Sequence, residues 1–368
     1  MTPPRPRVLS TRELNRTLLH RQLLLRRRRI DALELVERLV GLQAQVPRDP
    51  YVALWSRIDR FRPESLAEPV ADRRAVRMTL LRGTLHLVTA ADALALRSVI
   101  QPVVERSVLG SSPLRRVVDR VHIDDLLAFL RVLLEERPRT RADLVKEIAV
   151  RWPDVDAASL GYAMYLLPTV QVTPRGIWGQ TGASAFTTVR RWLGRSPARS
   201  ATPDAMVLRY LAAFGPSAPA DVQTWCGLPG MREVLERLRP RPRRFRDEHG
   251  RELFDAPGAS LSGPDVAAPV RFLPEYDNAF IAHADRSRIL PPGVAPWTEA
   301  GWGPVLVDGF STARWRLERA KDAATLRIEP FRTLSRATRD DVAEEAERLV
   351  GFLAPDAGAR QVRFGRRR

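Results

Sequence analysis

Apolar positions recur at helical spacing along residues 11–25, with Leu14, Leu18 and Leu19 on one face and arginines at 26–29 closing the run. Asp31 can cap a second helix whose Leu33, Val36, Leu39 and Val40 repeat the pattern, and Gly41 offers it a stop. Helices near 51–58 and 64–72 follow. The spacing then switches to β-prone runs at 76–81 and 84–88 around Arg82-Gly83, a hairpin signature. The order recurs at 124–135, at 140–150 behind the near capping box Thr140-Arg141-Ala142-Asp143, and at 157–166. There 170–173 is expected to pair with 177–179 around Pro174-Arg175-Gly176. A third round has helices at 204–214, 219–226 and 231–238, then strands 243–247 and 251–255 around Gly250.

Helices followed by a hairpin make the winged-helix pattern. The fold class expected is α+β, mainly α, with three tandem winged-helix domains and a β-rich C-terminal part. The divisions fall at 1–118, 119–198, 199–268 and 269–368. In the last, strands 304–308, 313–319 and 324–329 form a meander, 339–352 a closing helix, and Arg363, Arg366, Arg367 and Arg368 a basic tail.

Charge narrows the class of partner. With a net charge of +17 and a pI of about 11.2, the chain favours a polyanion, nucleic acid before an anionic membrane surface. Lys146 and Lys321 are the only lysines, a bias that a GC-rich genome also explains. Cys226 is alone, so no intrachain disulfide forms and a reducing cytoplasm is expected. No apolar leader opens the chain and no apolar run reaches the ~18 residues of a membrane span. His20, His86, His122, His249 and His283 form no metal-spaced set, and neither metal nor cofactor is expected.

The chemistry centres on Gln43 and Gln45. Inside a continuing helix they would lie about 200° apart. If the chain leaves the helix near Gly41, i and i+2 point the same way, and Pro47 pushes Val46 toward the extended region. Two converging amides can hold a water or a polar ligand, but neither takes up a proton near neutral pH. They orient, and suit a bond whose leaving group already departs easily. On the residues alone, the pair also reads as an ordinary helix cap. Asp49 is a reserve proton acceptor, with turn chemistry before Pro50 as its other reading.

Several segments resemble the AlkZ and YcaQ type of bacterial winged-helix DNA glycosylases. They are Gly41-Leu42-Gln43-Ala44-Gln45 with Pro50-Tyr51, Leu81-Arg82-Gly83-Thr84-Leu85-His86, Arg175-Gly176-Ile177-Trp178-Gly179 and Arg271-Phe272-Leu273-Pro274-Glu275-Tyr276-Asp277. In that family the glutamine, apolar, glutamine triplet is the catalytic motif, and the activity is removal of guanine alkylated at its seven-position nitrogen, bulky adducts and interstrand crosslinks included. Gln45 stands where the YcaQ branch carries aspartate, so the chain looks like the AlkZ branch. The resemblance implies a monofunctional glycosylase in DNA repair or self-resistance to a genotoxin, with Gln43 and Gln45 positioning the attacking water.

Elementary chemistry agrees. A guanine alkylated at that nitrogen is cationic, leaves neutral and needs no general acid, a group worth about 10²–10⁴-fold elsewhere. The expected partner is double-stranded DNA carrying alkylated guanine, met by a monomer that processes the lesion in place. Arg82, Arg175, Arg244 and Arg251, at or beside hairpin turns, are the expected phosphate contacts, with His283 and Arg286 in a loop lining the channel. Glu275, Asp277 and Asp285 suit internal ion pairs or loop closure. The rival is a winged-helix regulator that binds DNA without chemistry.

Overall fold

The computed structural model describes residues 6–198, 201–294 and 299–365. The chain opens with β1 (Val8–Leu9), α1 (Thr11–Arg21), α2 (Ala32–Arg38), β2 (Leu42–Gln43), α3 (Asp49–Trp55), α4 (Glu64–Ala71), β3 (Ala75–Thr79), β4 (Leu85–Thr89) and α5 (Ala90–Ser111). It continues through α6 (Ile123–Glu136), β5 (Arg139–Thr140), α7 (Arg141–Arg151), α8 (Ala157–Leu160), β6 (Thr169–Gln171), β7 (Ala185–Thr188) and α9 (Val189–Leu193). Next come α10 (Asp204–Phe214), α11 (Pro219–Cys226), α12 (Met231–Arg237), β8 (Arg243–Asp247) and β9 (Glu252–Asp255). The remainder is β10 (Arg271–Phe272), α13 (Asn278–Ile281), β11 (Gly303–Val307), β12 (Phe310–Arg319), β13 (Ala323–Pro330), α14 (Arg336–Leu353) and β14 (Ala359–Phe364).

The architecture is mixed α/β, and its sheets stitch distant segments together. The first hairpin, β3–β4, joins the second segment through β3–β6 to give the order β2-β4-β3-β6-β7-β5, while β1 pairs in parallel with β8 beside β9. The third sheet, β10 to β14, is the expected meander with one strand added at each edge. One core packs α5 against α6, α7 and α10 to α12; another packs α2 to α4 against the C-terminal sheet and α14. Both cores cross the divisions expected from the sequence.

Local chemistry explains the elements. Ser10 and Glu13 cap α1 reciprocally, Thr140 and Asp143 do so for α7, and Asp31 caps α2 through the amides of Leu33 and Glu34. At its C-terminus α2 closes as a Schellman motif, Gly41 N–H to the Val36 carbonyl at 2.9 Å and Val40 N–H to Glu37 at 3.0 Å. The left-handed position is taken by Val40, φ +56°, rather than by the glycine after it.

Four expectations need correction. The first helix ends at Arg21, so arginines 26–29 lie in the following loop and not in its last turn. The long helix α5 went unread, because its apolar residues face the sheet and helices on several sides and leave no single stripe. Segment 170–173 pairs with β7, not with 177–179. Residues 174–180 form turns instead: Ile177 N–H donates to Pro174, Gln180 to Ile177, and Gly176 and Gly179 take positive φ. Arg363 belongs to β14, parallel to β13; Arg366, Arg367 and Arg368 lie outside the described residues.

Candidate active site

Past the Schellman turn, Gly41 (φ +91°) swings the chain out of the helix so that β2 lies antiparallel on β4, Leu42 opposite Leu87 and Gln43 opposite His86. Ala44 N–H continues the ladder to the Leu85 carbonyl at 2.8 Å. A Cβ on Gly41 would stand 2.6 Å from Val88 Cγ1 and 3.1 Å from the Leu87 carbonyl, so glycine is required twice, by φ and by space. Asn278 Nδ2 donates to the Gly41 carbonyl at 2.8 Å, tying the turn to α13. Gln43 is therefore on the strand, while Gln45 lies two residues on, where the chain already bends, rather than on one continuous extended segment.

Each amide is oriented by a donor. Gln43, 8% exposed, accepts from Arg82 Nη2 at 2.8 Å through Oε1. Gln45 is exposed, and its Oε1 accepts from Leu85 N–H at 3.1 Å. A guanidinium and a backbone N–H can only donate, so in both glutamines it is the oxygen that faces the protein. Neither Nε2 has a partner among the described residues. Each amide thus keeps a donor group and a spare oxygen lone pair, Gln45 at the surface and Gln43 buried behind Arg82.

Arg82 was expected at a hairpin tip, pointing outward. Its backbone is at the turn, φ +57°, but the guanidinium folds inward, with Nη1 donating to the Trp225 carbonyl at 2.6 Å and Nη2 to Gln43. Burial, unrelieved by any paired carboxylate, lowers its pKa to about 10. His86 lies beneath it. Its Nδ1 is 2.9 Å from the Thr84 carbonyl, which can only accept, so Nδ1 carries the proton and Nε2 turns its lone pair toward Arg82 Nη2, 3.5 Å away. Burial first, and Arg82 second, push the imidazole down to about 3, so it stays neutral. Left-handed non-glycine residues, Val40 and Arg82, thus flank the glutamine segment; each costs on the order of 1–3 kcal/mol and persists where the surroundings over-determine it.

The backbone between the glutamines is held from below. Arg77, 2% exposed, donates through Nη2 to the Ala44 carbonyl at 2.6 Å and through Nη1 to Gln171 Oε1, which belongs to the second segment. Sequence reasoning passed over Arg77. The signal was the alternation of Ala75, Arg77 and Thr79 against Val76 and Met78, which places an arginine on the sheet face opposite the core. Tyr51 ties the same region together, its hydroxyl donating to the Gly176 carbonyl at 2.8 Å and accepting from Trp178 N–H at 3.0 Å.

Gln45 opens into a cleft of about 530 Å³ between the first hairpin, α5 and the second segment, lined also by Arg77, Thr79, Tyr162, Tyr165 and Arg175. Among the described residues no carboxylate lines it. Of the expected contacts, Arg175 stands in this cleft, and the charge of Arg286 reaches Arg82, although Arg286 itself leans over the Phe280 ring at 5.7 Å. Arg244 pairs with Glu252 at 2.7 Å, and Arg251 with Asp247 at 2.6 Å and with Asp285. Both sit on the β8–β9 hairpin, half-exposed and already neutralised. His283 does not line a channel: it is 2% exposed, its Nε2 3.2 Å from the Phe214 carbonyl, and burial pushes its pKa down to about 3.

Of the acidic residues, Asp277 is an internal ion-pair residue, while Glu275 and Asp285 are half-buried and close loops. Asp277 makes a buried two-pronged pair with Arg57 at 2.7 and 2.8 Å, Glu275 accepts from Gly301 N–H at 2.9 Å, and Asp285 from Ser287 N–H at 2.9 Å. Asp49 is buried at the start of α3 with Oδ2 unpartnered, and does not line the Gln45 cleft. Desolvation chiefly, with Glu275 and Asp277 adding to it against Arg48, raises its pKa to about 7.

Comparison with known proteins places the chain in a family. A family model described as DNA glycosylase AlkZ-like matches residues 36–352. Among solved structures, the Streptomyces sahachiroi DNA glycosylase AlkZ superposes with a TM-score of 0.70 at 21% identity, over 97% of this chain and 100% of that one. Comparison with curated protein sequences returns no match.

Proposed function

Because the chain belongs to the AlkZ-like DNA glycosylase family, we propose that it is a monofunctional enzyme that hydrolyses the N-glycosidic bond of guanine alkylated at its seven-position nitrogen in duplex DNA. The observation that carries this reading is the two oriented amides: Gln43 on β2 and Gln45 at the bend two residues on, each amide oxygen fixed by a donor. Gln43 and Gln45 position a water against the anomeric carbon. The cationic base departs neutral, so no acid is required of the protein, and the charge left on the sugar is shared by the substrate's own phosphates.

The cleft beside Gln45 supports the finer reading. Arg77 and Arg175 with no carboxylate would repel a cationic ring, so the alkylated base stays at the duplex and the cleft accepts the neutral arm of a bulky adduct, with Tyr162 and Tyr165 as apolar walls. Monofunctional action is supported by the lysines: a lyase step needs an amine nucleophile, and neither Lys146 nor Lys321 lines the cleft. The three helix-and-hairpin segments are read as winged-helix units that carry the DNA, with Arg175 and Arg286 as its contacts at the site. Interstrand crosslinks and self-resistance to a genotoxin fall within the same chemistry.

The test is release of free base from duplex DNA carrying 7-methylguanine. Gln45→Ala is expected to slow single-turnover release by 10²-fold or so, in line with loss of one positioning group. Normal binding with no release by the wild-type chain would end the enzymatic reading, and unchanged release by Gln45→Ala would end this role for Gln45.

A further inference from the structure

A second basic concavity lies away from the glutamines. Between the C-terminus of α1, the loop after it and the outer face of α2 there is a cleft of about 400 Å³ lined by His20, Arg26, Arg28, Arg29, Glu34 and Arg38 over an apolar floor. It shares no lining residue with the Gln45 cleft. Its loop is held in place: Arg28 N–H donates to Arg57 and Asp59 N–H to the Arg28 carbonyl, both at 2.9 Å, while Arg27 turns inward over the Trp55 ring at 4.4 Å and pairs with Glu345 at 2.5 Å. The neighbouring arginines are left facing out.

Four guanidinium groups thus meet one carboxylate. Arg29 reaches Asp59 at 3.6 Å, but Arg26, Arg28 and Arg38 join no ion pair among the described residues. They are close enough to be felt: after desolvation, the charges of Arg28 and Arg38 are the next causes that lower the pKa of His20. On the β8–β9 hairpin, by contrast, Arg244 and Arg251 are each paired with carboxylates. A like-charged cluster on a fixed loop repels itself in the free protein and is relieved by a bound polyanion.

We propose that this cleft is a second anchoring site for the phosphodiester backbone, gripping the duplex away from the lesion; the inference rests on DNA being the ligand, not on the assignment of the glutamines. Arginine forks from two elements, the loop and α2, suit successive phosphates of one strand. No base is read there. The contribution is to affinity and its salt dependence.

The experiment is fluorescence anisotropy of the full chain with an unmodified duplex across a salt series. Arg26→Gln, Arg28→Gln and Arg38→Gln together should flatten the slope of log Kd against log salt by about 2.7, so that a fourfold salt increase weakens the wild type about 40-fold more than the variant. Glu34→Gln, which removes the opposing carboxylate, should tighten binding, and so keeps the test open if the triple variant folds poorly. An unchanged slope in the triple variant, or no tightening by Glu34→Gln, overturns the site. Melting with added pyrophosphate separates the sources: protection of the wild type alone, with identical DNA slopes, would make the ligand a free polyphosphate and overturn the DNA assignment. A wild-type chain that binds duplex but releases no base would defeat the glycosylase reading and leave this one standing.

Discussion

Arg82 separates two accounts of the same residue. As a hairpin-tip arginine it would touch phosphate; as the structure has it, it spans Gln43 Oε1 and the Trp225 carbonyl from inside. Consider Arg82→Met, which keeps much of the side-chain length and removes the donors. Hydrogen bonds to a charged group contribute about 1.5–3 kcal/mol each, and a buried acceptor left unmet costs about 1–3 kcal/mol. Against this, the guanidinium is itself buried with no paired carboxylate, so its removal recovers part of its desolvation cost. The net loss of stability is therefore modest, on the order of 1–3 kcal/mol, the upper part of the range applying if the Trp225 carbonyl finds no other donor.

The effect on chemistry is larger than this balance suggests, because Gln43 loses the donor that dictates which end of its amide faces outward. An amide free to rotate presents the wrong group part of the time and no longer holds a water at one point, a loss of about 10–100-fold in single-turnover release. The assay is release of 7-methylguanine from saturating duplex, with Kd, its salt slope and the melting temperature measured alongside. The rate should fall while Kd changes by less than ~3-fold and the salt slope stays as in the wild type, since no phosphate contact has been removed. Arg82→Lys should fall between, as a single ammonium cannot meet both acceptors with a fork. A slope flattened by about 0.9 with an unchanged saturated rate would refute the inward role and restore the phosphate contact.

Other expectations follow from the same contacts. Gly41→Ala forces a Cβ to within 2.6 Å of Val88 Cγ1 at φ +91°, and should cost roughly 2–4 kcal/mol in urea unfolding, with slowed base release because β2 is displaced. Asp277→Asn leaves Arg57 buried opposite a neutral partner, and should cost about 3–5 kcal/mol by the same measurement. Asp49 gives a pH signature. Its folded pKa, about 7, lies above the ordinary 3.8, so the folded state holds a proton that the unfolded state has lost between those values, and stability falls as pH rises through that window. Asp49→Asn should therefore gain on the wild type from about pH 4 to pH 7, reaching on the order of 4 kcal/mol, and hold a constant lead above it. A lead that does not vary with pH would show the carboxyl to be ionised throughout.

How far the sequence could be read depends on whether a residue's role is set locally or at a distance. Caps and period carried over well: Asp31, Thr140 and the β8–β9 hairpin stand where their chemistry put them. The exit from the helix at Gly41 into the strand carrying Gln43 was legible, but the chain bends at Gln45 and Val46, before Pro47 could hold it extended. Two kinds of feature were not legible. The helix α5 is buried on several sides and so lost the stripe by which helices are recognised. The arginines gave charge but not direction.

Direction is a tertiary property. Arg21 spends its guanidinium on Asp255 and the carbonyls of Leu211 and Gly215, Arg97 reaches the carbonyls of Leu166 and Leu167, and Arg77 and Arg82 hold the glutamine segment, so these cations staple one segment to another. Composition counts them with Arg26, Arg28 and Arg38, which staple nothing. A guanidinium with both arms spent inside the protein, as at Arg77 and Arg82, is withdrawn from any phosphate, whatever the turn it starts from. Net charge therefore overstates the surface available to DNA, and the arginines to test first for binding are those left without carboxylate or carbonyl rather than those nearest a hairpin tip.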